Sequence, residues 1–121
     1  RRKSGGGCVY ADKGNVMLAY ITGKGNVMLA YSNYVNLVLS TLKRMSIQAC
    51  STGRNDIVVD GCKVSGTAFY HLPERNIVHG TLLYDTDMQN MMNSITPANL
   101  LFPVLILIHG ILMVVKNGQK K

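Results

Sequence analysis

Apolar residues are grouped along most of this chain in short runs whose spacing predicts specific elements. NVMLAYI at 15–21 places Val16, Leu18 and Tyr20 on one face of an extended chain and Met17, Ala19 and Ile21 on the other. A stretch apolar on both faces predicts a central strand covered on both sides. The octapeptide KGNVMLAY occupies 13–20 and recurs at 24–31, joined by Ile21-Thr22-Gly23. Two such strands around a Thr-Gly-Lys-Gly turn predict a hairpin; a local duplication without functional meaning is the alternative. One recurrence at a period of 11 does not make a solenoid.

The period then changes. Tyr34, Val38, Leu42 and Met45 share one face of a helix over Asn33–Met45. Ser32 or Asn33 can cap it, and Lys43 and Arg44 lie in its last turn, where the helix dipole favours cations. DIVVD (56–60) predicts a short strand ended by Asp60-Gly61, a hairpin-turn pair. CKVSGTAFYHL (62–72) predicts a second strand, turning at 73–76 with Pro73 at a favoured corner position. NIVHGTLLYD (76–85) predicts the returning strand, and DMQNMMNSI (87–95) a helix ending before Thr96-Pro97. Strand-rich segments with intervening helices place the chain in the α+β or mixed α/β class.

From Leu100 to Val115 the pattern is lost. LLFPVLILIHGILMVV holds 13 apolar residues in 16, interrupted by Pro103, His109 and Gly110. The run is shorter than the roughly 20 residues that span a bilayer. Membrane contact through this tail, burial as a helix or strand, and a mis-joined end all remain open readings of 98–121.

Composition narrows the function classes. The chain has 121 residues, 47% hydrophobic and 16% charged, which excludes a disordered composition and allows one domain with a core. Its 13 Lys and Arg against 6 Asp and Glu give a net charge of +7, suited to an anionic partner. The cations cluster at the two ends, and the six Tyr and two Phe read as core rather than a stacking stripe, so nucleic acid is not expected as a partner. Cys8, Cys50 and Cys62 match no zinc spacing, and an odd count argues against a disulfide framework. A reducing compartment follows, and a cytoplasmic location is the expectation. No initiator Met precedes the first motif, so the sequence reads as a piece of a longer chain.

Two segments carry candidate chemistry. RRKSGGGCVY at 1–10 joins Arg1, Arg2 and Lys3 to three glycines. Glycines let backbone amides approach an anion closely, and successive amides form an anion-binding nest. Arginine adds bidentate charge for phosphate or carboxylate. A flexible basic linker is the plainer alternative. The segment is neither a Walker loop nor a dinucleotide fingerprint. In GRNDIVVDGCKVSG (53–66), pairing across the Asp60-Gly61 turn brings Asn55 and Asp56 near Lys63. Such a lysine can stabilise charge developing on a phosphate or carboxylate oxygen; an ordinary exposed hairpin lysine with a salt-bridge partner is the alternative.

In order, RRKSGGGCVYADKGN, GRNDIVVDGCKVSGTAF and VHGTLLYDTD closely resemble the lipoate–protein ligase family over about residues 1–97. The resemblance implies the catalytic domain shared with biotin–protein ligases and related to class II tRNA synthetases, a mixed sheet flanked by helices. It implies a two-step activity. Lipoate and Mg-ATP give lipoyl-AMP and pyrophosphate, and the lipoyl group passes to a lysine of an acceptor lipoyl domain. Acceptors of this kind are 2-oxoacid dehydrogenase subunits and the glycine cleavage H protein.

Residue by residue, the resemblance implies that Arg2 contacts the nucleotide phosphate. Ser4 belongs to the same loop, and Gly7, Cys8, Val9 and Tyr10 hold the adenylate through backbone and first strand. Lys63 contacts both ATP and the lipoyl carboxylate, with Asn55 and Asp56 beside it. Ser65, Gly66, His79, Gly80 and Thr81 line the site. ATP, magnesium and lipoate are the implied ligands. The sequence departs from the family where Ala11 replaces a frequent histidine and Val78 the first of a His-His pair. The family's segment before Arg1 is not in this sequence, and the resemblance stops after Pro97. An octanoyl or lipoyl transferase of the same superfamily, and a non-catalytic nucleotide-binding piece, are the alternatives.

Overall fold

The computed structural model describes residues 3–5 and 9–95. The expectations for Arg2, Gly7, Cys8 and the 98–121 tail lie outside the described residues. Within them the chain runs β1 (Asn15–Gly23), α1 (Val27–Arg44), β2 (Ala49–Ser51), β3 (Asp56–Val59), β4 (Cys62–Leu72), β5 (Arg75–Leu83) and α2 (Met88–Ile95). The five strands form one sheet in the order β1-β5-β4-β3-β2. Every pairing among them is antiparallel. The α+β class is as expected, and the mixed sheet implied by resemblance is here uniformly antiparallel. Two-residue turns join β3 to β4 and β4 to β5, and such turns permit only antiparallel neighbours. Asp60 and Gly61 both have positive φ, at 49° and 76°, the backbone a two-residue hairpin of primed type requires.

α1 packs on one sheet face. Ala30, Tyr34, Val35, Val38 and Leu42 meet Ile57, Val59, Val64 and Val78 in the core, with Leu18, Tyr20 and Leu82 around them. Register fixes which strand residues join this face. Val78 lies opposite Tyr20 and Phe69, and Gly80 opposite Leu18 and Thr67. Burying aliphatic side chains of this size contributes about 1.5–3 kcal/mol each, which holds a helix with no acidic residue in its first turn.

The repeat does not form a hairpin. Its first copy enters β1, while its second copy begins α1. Asn26 caps the helix, its Oδ1 accepting from the Met28 N–H at 2.8 Å. α1 therefore starts six residues earlier than the apolar period predicts, and Ser32 and Asn33 lie inside it. The physical reason is continuity. Ala30 extends the Tyr34–Val38–Leu42 stripe by one more turn, and core burial decides between the two conformations of one peptide. The helix ends in a Schellman motif: Ile47 N–H reaches Leu42 O at 2.9 Å and Ser46 N–H reaches Lys43 O at 3.0 Å. Ser46 takes φ 63° to close it, which turns Met45 outward instead of into the core.

β1 is likewise not central. It lies at the end of the described strand order, and Met17 and Ile21 are 60% and 63% exposed. Its doubly apolar pattern therefore buries one face only.

The β1–α1 connection is pinned by Asn76, 1% exposed. Its Nδ2 donates to Gly25 O at 3.2 Å, and its Oδ1 meets His71 Nδ1 at 2.6 Å. β2 was not foreseen, because Ala49-Cys50-Ser51 is too short to show a period.

Candidate functional site

The sheet face away from α1 collects Asp56, Lys63, Gly66, His79 and Thr81 of the predicted site. Register aligns Met17, Thr81, Gly66 and Asp56 in one row across four strands. The next row is Ala19, His79 and Ala68. Small residues beside larger polar ones leave a shallow floor of backbone and methyl groups between β1 and β3.

Lys63 reaches this face through an irregularity. Ile57 pairs with Ser65, but Val58 pairs with Lys63, so β4 has one extra residue, Val64, at that point. A β-bulge of this kind re-aims the side chains beyond it. In an unbroken strand Lys63 would share the face of Ser65 and Thr67, under α1. The bulge turns it to the side of Asp56, and its Nζ lies 2.6 Å from Asp56 Oδ1. The side chains are 50% and 35% exposed, so the pair orients Lys63 while water still reaches it. A Cβ on Gly66 would lie 3.6 Å from Lys63 Nζ, which places the ammonium directly over bare backbone.

Ser4 docks on the second row. Ser4 Oγ and His79 Nε2 are hydrogen-bonded at 2.6 Å across 75 positions of sequence. Ser4 thus lies against β5, next to the row of Asp56 and Thr81.

A second set of contacts anchors the segment that leads into β1. Asp12 Oδ1 accepts from Gly14 N–H and its Oδ2 from Asp87 N–H, both at 2.8 Å. Gly14 O accepts from the N–H groups of Tyr84 and Asp85, and Thr86 Oγ1 donates to Asn15 Oδ1 at 2.7 Å. A Cβ on Gly14 would lie 2.0 Å from Asp85 O, so only glycine fits there. Asp87 in turn caps α2, its Oδ1 accepting from Asn90 N–H. Partial desolvation raises the Asp12 carboxyl. The hydrogen bonds from Asp87 N–H, Gly14 N–H, the Tyr10 hydroxyl and Asn15 N–H outweigh it and hold the group below its ordinary range. Partial desolvation, then Asp12, pushes the Tyr10 phenol upward.

The remaining predicted positions separate. Ser65 and Gly80 lie on the α1 side: Ser65 is buried, and a Cβ on Gly80 would meet Tyr34 Oη at 2.6 Å. Asn55 contributes backbone, its carbonyl accepting from Thr67 N–H at 2.7 Å. Val9 is exposed, and Tyr10 lies beside Asp12 outside any strand.

Sequence reasoning missed Asp12, Gly14 and Tyr31. Tyr31 donates its hydroxyl to Arg54 O, with its ring edge-on to Phe69 at 6.2 Å. Burial, then the charge of Asp56, pushes its phenol up. It ties α1 to the loop that leads into Asp56. The ADKGN segment carried the signal for Asp12 and Gly14; the repeat hid that for Tyr31. Among the described residues, no group of three or more His, Cys, Asp or Glu is arranged to hold a metal ion.

Comparison with known proteins shows what the chain is similar to. Lipoate-protein ligase A of Psychrobacter cryohalolentis is 38% identical over 97 residues, covering 80% of this chain and 28% of that protein. The chain thus spans under a third of that relative's length. The structure of P. falciparum LipL1 in complex with lipoate superposes with a TM-score of 0.66 at 35% identity, covering 83% of this chain and 29% of that one. A lipoate-protein ligase A bound with ATP gives a TM-score of 0.69 at 20% identity, a likeness of fold, covering 77% and 42%. The profile of the Lipoyl protein ligase A/B catalytic domain matches residues 1–101, and the chain belongs to that family.

Proposed function

We propose that this chain provides the anion-binding part of a lipoate–protein ligase that activates lipoate with ATP. In the first step a lipoate carboxylate oxygen attacks the α-phosphorus of ATP. The α–β phosphoanhydride breaks, lipoyl-AMP forms and pyrophosphate leaves. In the second step an acceptor lysine amine attacks the acyl carbon, an amide forms, and AMP leaves with the proton lost from the amine. No nucleophile from this chain is needed.

The observation that carries the reading is the convergence of Ser4, His79, Asp56 and Lys63 on one sheet face. Bringing a carboxylate to a phosphate joins two anions, and a fixed cation offsets their repulsion. Lys63 is oriented for this role and stays accessible. The glycine-rich loop held by Ser4 adds backbone amides, with Arg2 contacting phosphate and Gly7, Cys8, Val9 and Tyr10 flanking the nucleotide. Thr81 and Gly66 form the floor beneath. Ala19, Ala68 and Ile77 continue the same face as an apolar path for an acyl chain. That one relative was solved with lipoate and another with ATP supports both ligands. The described residues do not form a protein-held magnesium site, so magnesium is assigned to the ATP phosphates and no step is routed through it. Lipoyl domains of 2-oxoacid dehydrogenases and the glycine cleavage H protein are the proposed acceptors.

The test is lipoate-dependent pyrophosphate release from ATP by this chain and its Lys63→Ala variant. Release that requires lipoate and falls at least about a hundredfold in the variant supports the reading. Folded chain that binds ATP without lipoate-dependent release would instead make it a nucleotide-holding piece.

A further inference from the structure

The octapeptide KGNVMLAY takes two conformations in one molecule. Lys13–Tyr20 enters β1, and Lys24–Tyr31 caps and opens α1. We propose that the strand position beside β5 accepts either copy, making the repeat a register switch that makes or breaks the contact of Ser4 with His79.

The second copy reproduces Asn15–Tyr20, the first six of the nine β1 residues paired with β5. The turn into β1 requires a glycine, because a Cβ at Gly14 would lie 2.0 Å from Asp85 O. Gly25 supplies one, with open space around it in its present place. Asn15 accepts from Thr86 Oγ1, and Asn26 has the same side chain. Val16, Met17, Leu18, Ala19 and Tyr20 face Leu82, Thr81, Gly80, His79 and Val78. Val27, Met28, Leu29, Ala30 and Tyr31 repeat them in order. A slip of one residue would reverse both faces of a strand. A slip by the full 11-residue repeat puts identical side chains on identical faces. α1 would then begin after Tyr31, where Ser32 and Asn33 are good caps and Tyr34, Val35, Val38 and Leu42 keep the buried stripe.

The copies differ at their flanks: β1 continues through Ile21-Thr22-Gly23, where the second copy runs into Ser32-Asn33-Tyr34. Asp12 precedes the first copy, and Gly23 precedes the second. Only the observed register lets Asp12 hold both Gly14 and Asp87. Only this register gives Asn76 its contact with Gly25 O and Tyr31 its contact with Arg54 O. These contacts set the direction of the equilibrium. The second register loses the Asp12 clasp and adds 11 residues of slack between Ser4 and the sheet, which frees the contact of Ser4 with His79. Shared sequence supplies a low-cost alternative state, and a few contacts at its ends decide the population.

Cross-linking tests this in the whole chain, with Cys8, Cys50 and Cys62 changed to Ser. Met17→Cys with Thr81→Cys reports the observed register, since these residues are paired. Met28→Cys with Thr81→Cys reports the second. Met28 sits in the first turn of α1 while Thr81 is on the opposite sheet face, so this pair closes only after exchange. Leu37→Cys with Thr81→Cys is the control, because Leu37 is exposed on α1 outside the repeat. The expectation is an intramolecular Met28–Thr81 disulfide forming at least about tenfold faster than the control, and faster still with Asp12→Ala. Met28–Thr81 closure no faster than the control overturns the proposal.

Hydrogen exchange on the unmodified chain provides a second measurement independent of these variants. Exchange of register opens β1 without opening the β3–β4 pairing, so the slowest β1 amides exchange faster than those of β3 and β4. β1 amides as protected as those of β3 and β4 would also overturn it.

Discussion

Lys63 Nζ lies 2.6 Å from Asp56 Oδ1, and the two side chains share a face only because Val64 is an extra residue in β4. The pair separates two roles that a salt bridge can play. Both side chains are well exposed, so its contribution to stability is about 1 kcal/mol or less. Its value is orientation: an ammonium held over bare Gly66 backbone beside the docked N-terminal loop.

Asp56→Asn is therefore expected to leave thermal stability nearly unchanged, within about 1 kcal/mol. Lipoate-dependent pyrophosphate release should fall about tenfold, through loss of orientation of Lys63. Lys63→Arg should not restore the reaction, since a planar guanidinium presents a different donor geometry from a point charge. A variant as active as the parent would remove orientation of Lys63 from the account.

Tyr31→Phe isolates one hydroxyl. The ring stays edge-on to Phe69, and Arg54 O loses its donor. The expected loss is about 0.5–1.5 kcal/mol, the range for a single hydrogen bond, read from denaturant midpoints at unchanged slope. Ligand affinity should drop as the loop into Asp56 loosens. Unchanged stability and affinity would show that the loop is held without the Tyr31 hydroxyl, by bonds such as Thr67 N–H to Asn55 O and Thr52 N–H to Asp56 O.

Gly80→Ala tests close packing between the sheet and α1. The new methyl would lie 2.6 Å from Tyr34 Oη and 2.7 Å from Gly66 O. One of those atoms is backbone of the neighbouring strand, so relief requires the sheet to shift. A destabilisation of about 1–3 kcal/mol is expected, seen as a fall in Tm of several degrees for a domain of this size. Gly66→Ala is the matched control. Its Cβ would meet only Lys63 at 3.5–3.6 Å, an ordinary contact, and it should be tolerated structurally.

The legibility of this fold was uneven, for identifiable reasons. Strands 62–72 and the Asp60-Gly61 turn were readable because alternation and turn chemistry act locally. Pairing across that turn brought Lys63 and Asp56 together correctly. The bulge that makes the contact was invisible, since an extra residue in one strand is a property of two strands together. The repeat misled for the opposite reason. Identical peptides have identical propensity, and tertiary context selects helix for the second copy: burial of Ala30, the Asn26 cap, and the contacts of Gly25 O and the Tyr31 hydroxyl. Ser65 and Gly80 lie inside recognisable motifs, yet register sends them to the α1 face. A motif specifies which residues are present, and strand parity specifies which of them share a face.

Asp12 supplies the pH dependence. Hydrogen bonds from Asp87, Gly14, Tyr10 and Asn15 outweigh its partial desolvation and lower its carboxyl in the folded chain. In the unfolded chain it titrates near the ordinary value of about 3.9. A group with a depressed folded pKa binds protons more tightly when unfolded, so acid favours unfolding. The contribution of Asp12 is complete above the unfolded value and is lost as pH falls through the lower folded one. Asp12→Asn removes the charge and keeps one acceptor oxygen. It should lower stability at neutral pH and flatten the acid limb, bringing the curves of parent and variant closer as pH falls through the lowered folded value. Thermal unfolding of both proteins from pH 7 down to pH 2.5 measures this. Parallel curves across the whole range would mean that the Asp12 carboxylate contributes no charge-dependent stability, and that Gly14 alone anchors the loop.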